Sequence, residues 1–563
     1  MPYDLKTARA PRLTGTGLAA AAWLLETGPT RALLAPGLLR DTGVAAFRRV
    51  HLTEAPSVLP ALPRLASAPA EPEAPPDLAA LARPSWAVGF RAETVADFAA
   101  AFAQGRRTPL QVAERLLGLL EADAAQQPGL RALVAWRRDD VIAQARAATA
   151  RWQAGAPLGP LDGVPVAVKE ELDVAGHATT AGTRFLRETA VTDATVVARL
   201  RSQGALIVGK ANMHEIGIDT SGFNVHHGTP RNPWDPRRYT GGSSSGSAAA
   251  VAAGLCPVAV GADGGGSIRI PASLCGVVGL KATFSRISEA GAYPLCWSVG
   301  HVGPLAASVA DLALAYAVMA GPDPLDPRTL HQPAPRVDPA VAGASADLRG
   351  LRLGIFTPWL EDAQPGVVAA LRHALAGLQA RGATLVEVEV PDLELGRIAH
   401  AVTILCEMAT GLGPYLEPQR QAFGRGTRLN LALARMLSGT DYVRAQQART
   451  RMTAHLERVF ERVDVLVTPT TACTAPLIRP DVMPHGESDL ALTSALMRFA
   501  FLANLPGHPA LSVPCGHDGE DLPVGLQLMG RPWEEHRLLT WAGVVEAAVA
   551  PRAPSVHHRL LSD

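Results

Sequence analysis

Lysine is scarce in this chain of 563 residues: of its 52 basic residues only Lys6, Lys169, Lys210 and Lys281 are lysines. Basic and acidic residues balance to a formal charge of zero, and no segment carries a run of Lys or Arg. The electrostatic footprint of a nucleic-acid binder is therefore missing, and no nucleic acid is expected among the partners. Long apolar runs are absent near the N-terminus as well. The longest clean one, Leu18 to Leu25, has eight residues, whereas crossing a bilayer takes about 20. A basic region and cleavage site of the secretory kind are also lacking. The six cysteines (Cys256, Cys275, Cys296, Cys406, Cys473, Cys515) show no CxxC and no paired spacing. This argues against zinc and against a disulfide framework, and for buried thiols in a reducing compartment. A cytoplasmic location and no metal are the expectation.

What is present is an apolar-leaning globular composition, 48% hydrophobic and 18% charged. Length is compatible with one large domain plus appendages. Residues 1–54 hold two helical patterns, Leu18 to Leu25 and Arg31 to Arg40, divided at Gly28-Pro29 and closed by Gly43. They read as a helical extension packed on the main body, with an interfacial or substrate-entry role as the alternative. Eight prolines between Pro56 and Pro84 oppose regular structure, so 55–89 reads as a linker. Residues 90–550 form the main domain and 551–563 a tail. Within the domain Thr108-Pro109 opens a helix to about Glu121, and helical patterns recur at Ala194 to Ser202, Val309 to Met319 and Val367 to Ala380. Between them lie β-branched runs: Val164 to Val168, Leu206 to Val208, Val258 to Val260, Val277 to Leu280, Leu351 to Phe356, Leu385 to Val390, Val465 to Val467, Leu511 to Val513 and Val524 to Leu528. This alternation predicts an α/β fold, a sheet with helices on both faces.

The densest small-residue stretch is Gly241-Gly242-Ser243-Ser244-Ser245-Gly246-Ser247, and Asp263-Gly264-Gly265-Gly266-Ser267 follows within one helix and one strand. Three glycines before a serine let several backbone N–H groups converge on one oxygen, as an oxyanion hole requires. Phosphate binding competes for such loops, yet neither continues into Gly-Lys-Ser/Thr. Gly242-Ser243-Ser244-Ser245-Gly246 also fits a nucleophile elbow centred on Ser244. An elbow follows directly on a strand, whereas proline-broken residues 232–239 precede this one; Ser267 follows the apolar run Val258 to Val260.

A serine hydroxyl needs a base. None of the 16 histidines stands in a triad-like context, and His214-Glu215 lacks a second His four residues after the first. Arginine keeps its proton in a protein, whereas a desolvated lysine can lose one near neutral pH. Lys169 ends the run Val164 to Val168, with an ion pair to Glu170 or Glu171 as its structural alternative. Lys210 and Lys281 end similar runs, so composition does not choose among the three.

Taken together, Lys169, Gly241-Gly242-Ser243-Ser244 and Gly265-Gly266-Ser267-Ile268-Arg269 resemble the amidase-signature family. The match extends through Pro271, Cys275-Gly276, Gly279-Leu280-Lys281 and Leu522-Pro523-Val524-Gly525-Leu526-Gln527, from about residue 90 to 545. The resemblance implies the amidase-signature fold, a large mixed twisted sheet flanked by helices on both faces. It implies Ser267 as nucleophile, Ser243 (after a cis peptide bond) as relay and Lys169 as base, without a cofactor. Main-chain amides of Gly264, Gly265, Gly266 and Ser267 would form the oxyanion hole, Ser244 would hydrogen-bond within the relay and Arg269 would brace the loop.

Within that family the chain is most similar to plant-type fatty acid amide hydrolases. The strings are Ala10-Pro11-Arg12-Leu13-Thr14-Gly15, Thr108-Pro109-Leu110-Gln111-Val112-Ala113, Lys210-Ala211-Asn212-Met213-His214-Glu215 and Arg238-Tyr239-Thr240-Gly241-Gly242-Ser243 onward. This implies long-chain acyl amides of the N-acylethanolamine type as substrates, cleaved to fatty acid and amine. A homodimer with at most peripheral membrane contact, through the N-terminal segment, is implied too. Ala262 departs from the family's usual threonine and Glu170-Glu171 from an expected Asp-Asp. The alternatives are an amidase or carbamate hydrolase for short or aromatic acyl groups, and a partner-dependent amidase-type subunit of a glutamyl-tRNA amidotransferase-like assembly.

Overall fold

A computed structural model describes residues 3–6, 11–62, 76–82, 90–338, 341, 347–550 and 552–562. Thirteen strands form among them: β1 (Leu13–Thr14), β2 (Leu133–Trp136), β3 (Pro165–Lys169), β4 (Leu206–Ala211), β5 (Val258–Ala262), β6 (Val278–Lys281), β7 (Val302–Ala306), β8 (Arg352–Ile355), β9 (Thr384–Glu387), β10 (Val465–Pro469), β11 (Glu487–Ser488), β12 (Ala510–His517) and β13 (Pro523–Met529). Eleven of them make one sheet in the order β2-β4-β3-β5-β7-β6-β12-β13-β10-β8-β9, and β1 pairs with β11 apart from it.

The sheet is mixed. β4, β3 and β5 run parallel, as do β10, β8 and β9, while β5/β7, β6/β7, β6/β12, β12/β13 and β10/β13 are antiparallel. Every residue of β3, β4, β10 and β13 is buried. Because successive side chains of a strand point to opposite faces, such strands need cover on both. The fold is thus the α/β class expected, and all nine β-branched runs are strands. The sequence reading missed β2 and β7 of the main sheet and the two-residue strands β1 and β11. β7 contains Gly303 and Pro304, and its ladder with β6 stops at Leu305, so Pro304 is paired only on the β5 side.

The helix predicted from Thr108-Pro109 spans Pro109–Ala125 and starts with a capping box between Thr108 and Gln111. The N-terminal patterns are the helices Gly15–Glu26 and Gly28–Asp41. Leu18 and Leu25 bury against Leu429 and Ala432. Arg12 donates to Asp481 at 2.7 and 2.9 Å and to Glu487, and Arg48 grips Asp441 at 2.8 and 2.7 Å. The extension is therefore strapped onto the body.

Of the expected linker, residues 63–75 and 83–89 lie outside the described residues. Between them Asp77 caps a short helix, Leu78–Leu81, where proline content predicted none. The tail folds back, with Val556 N–H on the Pro233 carbonyl at 2.9 Å and Leu560 buried. All six cysteines are free and only Cys406 is not fully buried. Among the described residues no helix is long and apolar enough to cross a membrane.

Candidate active site

Parallel neighbours β3 and β5 deliver the chemistry to one place. In-register pairing of Val168 with Val260 sets Lys169, the last residue of β3, beside the end of β5, where Ala262 and Asp263 lead into the glycine loop. Groups at the carboxyl ends of such strands are where open α/β sheets place their sites. Lys169 is 1% exposed. Its Nζ donates to Ser243 Oγ at 2.9 Å and to the Ala262 carbonyl at 3.2 Å, and lies 3.1 Å from Glu171 Oε1. Lys169 thus touches both a serine hydroxyl and a carboxylate.

The other two buried lysines end on backbone carbonyls, Lys210 with a longer contact of 3.4 Å to Thr179 Oγ1 as well. Lys210 donates to the Leu172 carbonyl and Lys281 to the His508 and Ala282 carbonyls. Burial pushes both amines below the ordinary lysine range. Neither contacts a serine hydroxyl.

Ser243 follows a cis Gly242–Ser243 peptide bond. Gly242 is obligatory for space, since a Cβ there would lie 2.7 Å from the Gly222 nitrogen. Ser267 shares a cavity of about 280 Å³ with Lys169 and Ser243. Its hydroxyl makes no hydrogen bond to a described residue.

Ser244 differs from expectation. Its hydroxyl donates to the Ala262 carbonyl at 3.1 Å and accepts the Ala262 N–H at 3.2 Å, while its own N–H donates to the Ser267 carbonyl at 3.2 Å. It ties the two serine loops together through backbone and bonds to neither the Lys169 nor the Ser243 side chain among the described residues. The reason is geometric: Ser244 already begins the turn into the helix Ser245–Ala252, facing β5.

Asp263 organises the glycine loop. Its carboxylate accepts the N–H of Gly266 at 2.6 Å, of Ile268 at 3.1 Å and of Arg269 at 3.4 Å, together with Asn504 Nδ2 at 2.9 Å. Arg269 grips it through Nε and Nη2, both at 3.0 Å, and also reaches Gln527 at 2.6 Å, Asn504 at 2.5 Å and the Ala500 carbonyl at 3.1 Å. Burial alone would raise the Asp263 carboxyl, yet the Arg269 charge and these donors hold it far below the usual carboxylate range. Arg269 thus braces the loop.

The Gly266 N–H, expected in the oxyanion hole, is committed to Asp263. The N–H groups of Gly264, Gly265 and Ser267 make no hydrogen bond among the described residues. His400 Nε2 donates to the Gly264 carbonyl at 2.7 Å, and burial pushes its imidazole down to about 4. A second cavity, about 240 Å³ and mainly apolar, lies behind the glycine loop. Its walls include Leu38, Leu39, Val402, Leu405, Phe501 and Met497, the first two from the N-terminal extension. A Cβ at Gly265 would lie 2.7 Å from both His400 Cε1 and Met497 Cε, two residues that also line this cavity.

Sequence reasoning missed Asp263, His400, Asn504 and Gln527 as parts of the site. Only Asp263 had a local signal, its place directly before the glycines. No group of His, Cys, Asp and Glu among the described residues is arranged to hold a metal ion.

Comparison with known proteins adds to the geometry. The family model described as Amidase matches residues 116–539. A fatty acid amide hydrolase of Arabidopsis thaliana is 39% identical over 589 aligned positions, spanning all of this chain and 96% of that protein. A glutamyl-tRNA(Gln) amidotransferase subunit from Symbiobacterium thermophilum is also 39% identical, over 78% of this chain and 94% of its own. Among solved structures, the peptide amidase of Stenotrophomonas maltophilia superposes with a TM-score of 0.70 at 32% identity, covering 82% of this chain and 98% of that one.

Proposed function

The chain belongs to the amidase-signature family and is an amide hydrolase, and from that premise we propose that it cleaves long-chain fatty acid amides through an acyl-enzyme on Ser267. One arrangement carries this reading. The Lys169 amine sits 2.9 Å from the Ser243 hydroxyl, on the wall of the cavity that Ser267 shares, and an apolar cavity walled partly by the N-terminal extension lies behind the glycine loop. The Arabidopsis relative spans the whole chain, extension included, whereas the amidotransferase subunit spans 78% of it. That difference favours the stand-alone lipid amidase over the partner-dependent subunit.

In this mechanism Lys169 starts as the free amine, and Ser267 Oγ attacks the amide carbonyl as its proton passes to Ser243, whose own proton passes to the Lys169 lone pair. Glu171, 3.1 Å away, balances the ammonium that results. Amide N–H groups of Gly264, Gly265 and Ser267 stabilise the oxyanion of the tetrahedral intermediate. The relay then returns a proton to the departing nitrogen, and the C–N bond breaks to leave the acyl-enzyme. Water attacks the ester with the same groups acting in reverse, releasing the carboxylic acid and restoring Ser267.

The acyl chain occupies the apolar cavity. Trp23, Leu33 and Leu34 are 60%, 80% and 40% exposed on the helices next to its Leu38 and Leu39 wall, a face suited to accept lipid from a membrane surface. Hydrolysis rates across acyl chain length test the substrate class. A rise in kcat/KM from acetyl to long acyl groups is expected, and a preference for acetyl rejects the lipid reading.

A further inference from the structure

One short turn, residues 214–217, touches Ser243 twice. The His214 N–H donates to the Ser243 carbonyl at 3.2 Å. Three residues on, the Gly217 backbone runs so close to the serine hydroxyl that a Cβ there would lie 3.4 Å from Ser243 Oγ and 3.5 Å from Glu171 Oε2. Where the hydroxyl lies relative to Lys169 Nζ, 2.9 Å away, therefore depends on where this turn lies. The turn also stands between the two cavities. Gly217 lines the one that holds Ser267, and His214 and Ile218 line the apolar one.

Its conformation is not one that the chain adopts freely. Ile216 sits at φ 50° and ψ 6°, in the left-handed region where a β-branched residue is strained and persists only if its surroundings hold it. The Ile216 N–H donates to the Ala181 carbonyl at 2.7 Å, and the side chain is buried with Met408, Phe423 and Leu431. Glu215 supplies the remaining hold. Its carboxylate is 2% exposed and accepts the Gly424 N–H at 2.9 Å, the Thr427 hydroxyl at 2.5 Å and the Nε2–H of His226 at 2.6 Å. A buried carboxylate is costly unless it is hydrogen-bonded in this way. Gly424 caps the helix Arg425–Ala434 and Thr427 lies in its first turn. Gly426, Asn430 and Leu433 of that helix wall the apolar cavity.

We infer that Glu215 is a positioning residue of the proton relay: by clamping the strained turn to the helix Arg425–Ala434, it keeps Ser243 aligned between Ser267 and Lys169. The inference rests on the Ser267 reading above. Among the described residues Glu215 makes no hydrogen bond to Ser243, Lys169 or Ser267, so it acts through the turn. Without the clamp Ile216 relaxes, His214 and Gly217 move with it, and Ser243 loses its register with Lys169. A misplacement of about 1 Å costs on the order of 10²-fold in rate. The loss falls on proton transfer, and so it depends on the leaving group. An amide nitrogen must gain a proton to depart, whereas p-nitrophenolate departs as the anion.

The test compares the p-nitroanilide and the p-nitrophenyl ester of one fatty acid. Glu215→Ala should lower kcat/KM for the anilide by about 10²-fold, through kcat rather than KM, and for the ester by about tenfold or less. Glu215→Gln keeps an oxygen for Gly424 and Thr427 and turns an N–H toward His226, so it should bring both substrates back to within about threefold of wild type. Thr427→Val is isosteric and lacks only the hydroxyl that Glu215 accepts. It should lower the anilide-to-ester ratio by about threefold, and it carries the test if Glu215→Ala does not fold. Equal losses on the two substrates, or a loss confined to KM, mark a role in the fold or the cavity wall and overturn the inference. So does an unchanged ratio in Thr427→Val where Glu215→Ala is unfolded or also unchanged. If the wild type cleaves the anilide and Ser267→Ala does not, such results sink this inference alone. If the wild type cleaves neither substrate, the Ser267 reading fails and takes the inference with it.

Discussion

Asp263 holds Arg269 through both carboxylate oxygens at 3.0 Å, and neither side chain is exposed to solvent. Breaking such a pair from one side leaves an uncompensated charge in the interior. Asp263→Asn should therefore destabilise the protein by about 3–5 kcal/mol, read from urea unfolding midpoints. Because the folded carboxyl titrates far below its unfolded value of about 3.9, the pair's contribution is fully present above about pH 4 and is lost only in stronger acid. The destabilisation should be the same at pH 5 and pH 8, and a loss that shrinks between them would assign it to another group.

Ser267→Ala should abolish hydrolysis with the fold preserved, and Ser243→Ala and Lys169→Ala should each lower kcat by about 10²–10⁴-fold. Glu171→Gln removes only the counter-charge to Lys169. It should lower kcat by about tenfold or more with KM nearly unchanged, since the carboxylate acts after substrate has bound. A change confined to KM would move Glu171 from the relay to the binding site.

Gly265→Ala puts a methyl 2.7 Å from His400 and Met497. His400 must then release the Gly264 carbonyl or the loop must shift, and either misplaces the oxyanion donors. A loss of about 10²-fold in kcat is expected, with little change in far-UV circular dichroism. Undiminished turnover would mean that the loop's N–H groups do not serve the transition state.

Asp311 is 3% exposed, and burial pushes its carboxyl up to about 8. Between about pH 4 and pH 8 the folded state retains a proton that an unfolded aspartate has released, so stability falls as pH rises through this window. Asp311→Asn removes that dependence. Its stability relative to wild type should climb by on the order of a few kcal/mol from pH 4.5 to pH 8, as measured by denaturant unfolding at several pH values.

Leu405 lines the apolar cavity. Leu405→Trp fills part of about 240 Å³ of space and should cut kcat/KM for long acyl chains by about tenfold or more, leaving short chains nearly untouched. Equal effects at both lengths would place the chain elsewhere.

The central sheet was largely legible because buried strands show themselves as short β-branched runs. β7 was not, since Gly303 and Pro304 argue against a strand unless the ladder's end beyond Leu305 is known. The place of Ser267, on a glycine loop that follows a strand, was legible from that local context. The choice among Lys169, Lys210 and Lys281 was not, because all three end similar apolar runs and are separated by which strand lies beside β5, a property of long-range pairing. The family resemblance, not local pattern, chose Lys169 in advance. For the same reason the Gly266 N–H looked available: nothing local shows that Asp263 folds back on it.

The antiparallel pairing of β1 with β11 joins Leu13 to Ser488, and Arg12 bridges to Glu487, 475 positions later in the chain. During translation Arg12 must wait for a residue made 475 positions after it. At roughly 5–20 residues per second the delay is on the order of half a minute or more. For most of it Leu18 and Leu25 lack the cover of Leu429 and Ala432. The same strap that walls the apolar cavity is thus the segment a nascent-chain chaperone would have most reason to hold.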